Sequence, residues 1–288
     1  MSIKITKMQG CGNDFVILDY MEYQKGIEAK KWKDMASAAK FLCDRNLGVG
    51  SDGLIIPNTN TEDTDIGWFF YNSDGSTAQM CGNGMRCFAK YVYDKKLVKT
   101  EEFTVKTLAG IIKPKIQEDG TIRVNMSKPV LESEKIPFLP VNNLNYKISI
   151  KNRIFEGNAV SMGNPHFIIF IKEDEDLLSL AKEFGPEIET STEFPEKTNV
   201  EFVKIRSYKK IDLRVWERGC GITLACGTGA CATTVAGILN GYFDNTVNAI
   251  LPGGILKIEW QGSTTDTTHN VYMTGRADYS FVGEVLFK

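Results

Sequence analysis

Cys81-Gly82-Asn83-Gly84 and Cys226-Gly227-Thr228-Gly229 are one motif written twice, once in each half of a 288-residue chain. Each opens a run that reads as a mostly apolar helix, over 84–93 and 229–239. Each therefore sets a thiol at a helix N-terminus, where free backbone N–H groups and the helix dipole favour a thiolate and hold an anion. The second helix, Ala230-Cys231-Ala232-Thr233-Thr234-Val235-Ala236-Gly237-Ile238-Leu239, contains no charge. A helix apolar on every side, and too short for a bilayer, must be surrounded by sheet. Arg86 and Lys90 give the first helix one expected wet edge.

The doubling extends upstream. Ile66-Gly67-Trp68-Phe69-Phe70-Tyr71-Asn72 and Ile211-Asp212-Leu213-Arg214-Val215-Trp216-Glu217 each end nine residues before their cysteine. Gly12-Asn13-Asp14-Phe15-Val16-Ile17-Leu18 is echoed by Gly163-Asn164-Pro165-His166-Phe167-Ile168-Ile169, both Gly-Asn turns entering a strand. Three echoes in one order predict an α/β (α+β) chain of two similar domains. Each is a mixed, curved β-sheet wrapped around a central helix, with the active site in the interdomain cleft. The expected domains are 1–125 plus 276–288, carrying Cys81, and 126–275, carrying Cys226.

Short β-branched or aromatic runs predict strands at 4–8, 15–19, 54–57, 67–71, 103–107, 122–126, 147–150, 167–171, 200–205, 213–216, 256–260, 271–274 and 281–286. Two charged surface helices are expected at 31–43 and 176–184. Pro129, Pro137 and Pro140 suggest a linker over 126–144.

Composition narrows the class. A net charge of −2 offers no basic field for nucleic acid, and no apolar run reaches the length of a membrane span. The N-terminus lacks a signal-peptide core, so cytoplasmic residence is the expectation. Seven cysteines without a Cys-x-x-Cys pair, and only two histidines, argue against both a disulfide framework and a zinc site. No metal is expected. No cofactor is expected either: two thiols already supply an acid and a base, and no lysine stands out as a Schiff-base candidate.

The chemistry follows from the pair. A free thiol titrates near about 8.5, and a helix N-terminus lowers that value and raises the fraction of base. One thiolate removes a proton from a carbon and one thiol on the opposite face returns it. The N–H groups after each cysteine would hold the reacting carboxylate as charge develops on it. A single Cys-Gly-x-Gly would read as structural; its repetition favours function. Cys11, Cys43, Cys87, Cys220 and Cys231 read as small buried hydrophobes. Glu217-Arg218 reads equally as a solvated surface pair or as a clamp for an ammonium and a carboxylate. His166 reads first as a structural hydrogen-bonder, and second as an aid to proton transfer. Asn13, Asn72 and Asn164 are ordinary turn residues when each is taken alone.

Taken together, these motifs resemble the diaminopimelate epimerase family over nearly the whole chain. Those that carry the resemblance are Gly12-Asn13-Asp14-Phe15, Gly48-Val49-Gly50-Ser51-Asp52-Gly53, Asn72-Ser73-Asp74-Gly75-Ser76, Cys81-Gly82-Asn83-Gly84-Met85-Arg86-Cys87, Met162-Gly163-Asn164-Pro165-His166, Asn199-Val200, Glu217-Arg218-Gly219 and Ala225-Cys226-Gly227-Thr228-Gly229-Ala230. The resemblance implies a cofactor-independent isomerase that interconverts LL- and meso-diaminopimelate in lysine and peptidoglycan precursor biosynthesis. It implies Cys81 and Cys226 as the bases, and Gly82, Asn83, Gly227 and Thr228 around the reacting carboxylate. Asn13, Asn72, Asn164, Asn199, Glu217 and Arg218 would read the distal end of a small diamino-dicarboxylic acid, with His166 as an auxiliary. It also implies a homodimer. Gln9, Asn46, Cys220 and Ile222 depart from the pattern expected of the family. Relatives with this architecture act on proline derivatives and histidine, so a racemase of that type is the alternative; a non-catalytic amino-acid-binding protein and a thiol-redox protein are weaker ones.

Overall fold

The protein is described here from a computed structural model covering residues 1–287. The chain divides into two compact units, one made of Met1–Val124 with Gly275 onward, the other of Asn125–Thr274.

The first unit opens with β1 (Ser2–Gly10) and β2 (Asn13–Ile17), then α1 (Tyr20–Glu28) and α2 (Met35–Cys43). β3 (Gly53–Asn58) and β4 (Ile66–Asn72) lead into α3 (Gly82–Asp94), and β5 (Val105–Thr107), β6 (Gly110–Ile112), β7 (Lys115–Ile116) and β8 (Ile122–Asn125) follow. The second unit runs through a 3₁₀ turn at Ser133–Lys135, β9 (Tyr146–Ile150), β10 (Arg153–Ser161), β11 (Pro165–Phe170), α4 (Leu177–Glu189), β12 (Asn199–Ser207) and β13 (Lys210–Glu217). The short β14 (Gly221–Ile222), α5 (Gly227–Leu239), β15 (Thr246–Leu251), β16 (Gly254–Trp260) and β17 (Val271–Gly275) complete it. The last strand, β18 (Asp278–Leu286), returns to pair antiparallel with β1, from Ser2 opposite Leu286 to Gln9 opposite Asp278.

The repetition read in the sequence is a repetition of topology. In the first unit the strand order is β18-β1-β2-β3-β4-β5-β6. Its successive pairings are antiparallel, antiparallel, parallel, antiparallel, parallel and antiparallel. In the second unit the order β9-β10-β11-β12-β13-β15-β16 has the same signs in the same places, and β17 extends it. The parallel steps are crossovers, and the helices occupy them in both units: α3 joins β4 to β5, and α5 joins β13 to β15. Each sheet is mixed and holds its motif helix against it, while α1 and α2 also pack on the first sheet and α4 on β12 and β13 of the second. α3 packs on β1, β2 and β3, and α5 packs on β10, β11, β12, β15 and β16.

Burial explains the two helices. Every residue of α5 from Gly229 to Gly237 is buried, as an uncharged helix requires. α3 is buried from Gly82 to Ala89. The expected wet edge of α3 shrinks to Lys90: Arg86 is fully buried, its Nε donating to the Arg276 carbonyl at 3.1 Å and its Nη2 reaching Cys11 Sγ at 3.5 Å. α2 begins at Met35, four residues later than 31–43 suggested, because Asp34 and Ser37 form a reciprocal capping box. The stretch 126–144 is no free linker. Ile136 and Phe138 are buried and pack with Phe167 and Phe194 in the core of the second unit.

Candidate active site

Both cysteines of the repeated motif are helix caps. Cys81 precedes α3 and Cys226 precedes α5, both with extended backbone, and both helices are thirteen residues long. In each, the sulfur accepts a hydrogen bond from the third backbone N–H of the helix: Gly84 N to Cys81 Sγ at 3.4 Å, and Gly229 N to Cys226 Sγ at 3.4 Å. A sulfur in the place of a capping oxygen receives the positive end of the helix dipole, which favours its anion. The helices therefore begin at Gly82 and Gly227, two residues earlier than periodicity indicated.

In the first unit, Asn13 lies against Cys81. Its Oδ1 accepts from Cys81 Sγ at 3.6 Å and from Asn83 Nδ2 at 3.4 Å. Its Nδ2 donates to Asp52 Oδ2 at 2.6 Å. Asp52 and Asp14 belong to an ionic cluster with Arg45 and Lys7: Lys7 Nζ meets Asp14 at 2.7 Å, and Arg45 Nη2 meets Asp14 at 2.9 Å and Asp52 at 2.7 Å. Burial works against the Asp14 charge, but the hydrogen bonds from Arg45 and Lys7 prevail and hold its carboxyl at about 2. The brace escaped the sequence reading, although Asp14 and Asp52 both stand in quoted motifs. Asn83 is buried, and its Oδ1 has no hydrogen-bond partner. Asn72, half-buried at the end of β4, donates from Nδ2 to Ser76 Oγ at 3.0 Å in the turn that follows.

In the second unit, Cys226 is 4% exposed and sits among acids. Burial, then the neighbouring acids Glu217 and Glu201, push its thiol well above the ordinary value, while Thr228 and the Gly229 N–H pull the other way. Burial also pushes the Glu217 carboxyl up against its hydrogen bond from Thr223 Oγ1. His166 is fully buried. Its Nδ1 shares a hydrogen bond with Glu201 Oε1 at 2.7 Å, and its Nε2 meets Asn164 Oδ1 at 3.0 Å. Asn199 is tied to main chain at both ends, donating to the Pro165 carbonyl at 2.7 Å and accepting from Arg218 N at 2.9 Å. Arg218 is exposed, with Nη1 on the Glu196 carbonyl at 3.0 Å.

Glu201 was not singled out by sequence reading. The available signal was a glutamate inside Asn199-Val200-Glu201-Phe202-Val203, a run buried at every position. Donor atoms of His166, Glu201 and Cys226 lie within 4.8 Å of one another. That cluster is hydrogen-bonded rather than built for a metal: two ligands about 2.0 Å from one tetrahedral zinc stand roughly 3.3 Å apart, whereas the His166–Glu201 contact is 2.7 Å. One other cysteine departs from expectation. Cys11, Cys43, Cys87 and Cys231 are buried, but Cys220 is exposed and fills no core.

No helix among the described residues is long and apolar enough to cross a membrane. The family model for diaminopimelate epimerase matches residues 5–132 and 158–280. A diaminopimelate epimerase of Halothermothrix orenii is 44% identical over 100% of this chain and 99% of its own length. One of Desulfitobacterium hafniense is 44% identical over 99% of this chain and 98% of its own. Among solved structures, a phenazine biosynthesis protein of the PhzF family from Bacillus anthracis superposes with TM-score 0.67 at 16% identity, covering 100% of both chains. A probable proline racemase from Agrobacterium radiobacter gives 0.68 at 14%, covering 99% of this chain and 93% of that one. At such identities these two share the fold alone.

Proposed function

Because the chain belongs to the diaminopimelate epimerase family, we propose that Cys81 and Cys226 are the two bases that invert one α-carbon of diaminopimelate. The chain is an isomerase, and inversion at one of two like centres interconverts the LL and meso forms. A proline- or histidine-type racemase is not favoured, since full-length relatives at 40–44% identity, those of Halothermothrix orenii and Desulfitobacterium hafniense among them, carry the name diaminopimelate epimerase. One observation carries the assignment of the bases: each unit caps a thirteen-residue helix with a cysteine whose sulfur accepts the N–H three residues on.

One sulfur, as thiolate, takes the α-proton, and the other, as thiol, delivers a proton to the opposite face. The roles exchange in the reverse direction. Cys226, buried beside Glu217 and Glu201, has its thiol pushed up and holds its proton in the free enzyme, so it serves as the acid in the half-reaction that starts from Cys81 as base. The backbone at Gly82, Asn83, Gly227 and Thr228 holds the reacting carboxylate, where negative charge grows as the proton leaves. Asn13, Asn72, Asn164, Asn199, Glu217 and Arg218 recognise the end that is not inverted, and His166 supports Cys226. A site that bonds a charged group rejects analogues without it.

A homodimer through β18 fits the surface. β18 is the edge of its sheet and exposes Phe281 (48%), Val282 (67%) and Leu286 (78%). Dependence on two free thiols suits a reducing compartment, and we place the enzyme in the cytoplasm.

Proton NMR of LL-diaminopimelate in D₂O, with reduced enzyme, tests the reading. α-Proton loss should accompany formation of the meso isomer and vanish in Cys81→Ala and in Cys226→Ala. Inversion surviving in either variant refutes the two-base assignment.

A further inference from the structure

The two units differ where their likeness matters most. In the parallel pairing of β2 with β3, Phe15 stands opposite Gly53 and Ile17 opposite Ile55. In the matching pairing of β11 with β12, His166 stands opposite Asn199 and Ile168 opposite Glu201. The repeated Gly-Asn turns put Phe15 and His166 in corresponding places, and the registers then match Ile55 with Glu201. Behind the cap of α3 lies apolar matter: an atom added at Gly84 would touch the Phe15 ring at 3.4 Å. Behind the cap of α5 lies the acid: an atom added at Gly229 would stand 2.5 Å from Glu201 Oε1 and 3.3 Å from Cys226 Sγ. Ile55, like Glu201, is fully buried. The same scaffold is thus built once with an isoleucine and once with an ionisable group, so the fold itself does not demand the glutamate.

Hydrogen-bond inventory fixes how the pair carries its protons. Asn164 Oδ1 accepts, so the ring nitrogen facing it at 3.0 Å, Nε2, bears a hydrogen. Nδ1 is left to share a single proton with Glu201 Oε1. The other oxygen, Oε2, is buried and has no hydrogen-bond partner. An unpartnered oxygen is tolerable as the carbonyl of a carboxylic acid and costly as half of a carboxylate. We propose that Glu201 is a positioning residue for the epimerisation: as a carboxylic acid donating to Nδ1 of His166, it locks the imidazole as its Nε2–H tautomer beside the sulfur of Cys226. The proposal rests on Cys226 being one of the bases. Burial, which pushes the Glu201 carboxyl up, agrees with the acid form. Glu217 on β13 is the further ionisable group acting on Cys226, and it is present in every variant below.

The test uses the full chain and its only two histidines, His166 and exposed His269. Two-bond ¹H–¹⁵N spectra of the wild type should show His166 as the Nε2–H tautomer, with His269 as internal reference; an Nδ1–H pattern overturns the proposal outright. Glu201→Gln, whose amide can donate to Nδ1, should keep that tautomer and a kcat within about threefold of wild type. Glu201→Ile, the residue of the twin position, should lose the tautomer and lower kcat by about 10- to 100-fold, the usual cost of removing an orienting partner, with KM nearly unchanged. A Gln variant as slow as the Ile variant, or an Ile variant as fast as wild type, overturns it. The wild-type spectrum decides even where Glu201→Ile fails to fold. Isotope exchange in Cys226→Ala, measured alongside, separates failure of this proposal from failure of the two-base reading.

Discussion

Asp14→Asn tests the ionic cluster behind Asn13. Asp14 has a side chain 18% exposed and a carboxyl held at about 2, against an ordinary 3.8. That gap corresponds to native-state stabilisation on the order of 2 kcal/mol. The substitution also takes the counter-charge from Lys7, whose side chain is 9% exposed and keeps its hydrogen bond to the Gly50 carbonyl. Breaking a buried pair on one side typically costs about 3–5 kcal/mol; the retained carbonyl and the exposure of Arg45 bring the expectation to about 2–4 kcal/mol. Urea unfolding at neutral pH measures it. The pH dependence has a definite sign. A depressed carboxyl stabilises above its unfolded value and loses that contribution as pH falls towards its folded value. The gap between wild type and Asp14→Asn should therefore be constant from pH 7 to about 5 and narrow from about 4 towards 2. A loss below about 1 kcal/mol, or a gap that widens on acidification, would refute the reasoning.

Other outcomes follow from single contacts. Gly229→Ala puts a methyl 2.5 Å from Glu201 Oε1; it should lower kcat far more than it lowers stability, read by steady-state kinetics beside thermal unfolding. Asp34→Ala removes the cap that accepts from Ser37 N at 2.7 Å and should cost about 1 kcal/mol in denaturant unfolding. Phe281→Lys, on the exposed edge strand, should shift the sedimentation coefficient from dimer to monomer; an unchanged value removes β18 as the interface. Brief treatment with iodoacetamide should label exposed Cys220 before buried Cys43, Cys87 and Cys231 by peptide mass spectrometry, and labelling confined to Cys220 should leave turnover intact.

The architecture was legible because duplication is a long-range signal. Two capped helices and the strands before them defined two similar mixed sheets, which the structure bears out. Individual elements were lost where local chemistry misled. β10 contains Gly157-Asn158, which reads as a turn, yet Gly157 is there because the Phe167 ring lies 2.3 Å from where a side chain would begin. β15 carries Asn248 amid its apolar residues. α1 is short, with Gly26 near its end, and offers no capping hydrogen bond to announce it. In the site, the cysteine caps were readable from spacing alone. The Asp14–Asp52–Arg45 brace and the Glu201–His166 pair were not, because both join residues far apart in sequence and neither has a periodicity.

The pairing of β1 with β18 also orders events at the ribosome. Ser2 finds its partner Leu286 only when nearly the whole chain has been made, whereas Asn125–Thr274 is one unbroken stretch that can fold as it emerges. At about 5–20 residues per second, the earlier half waits on the order of ten to thirty seconds with the backbone edge of its first strand unpaired. The part of the molecule made first is the part finished last.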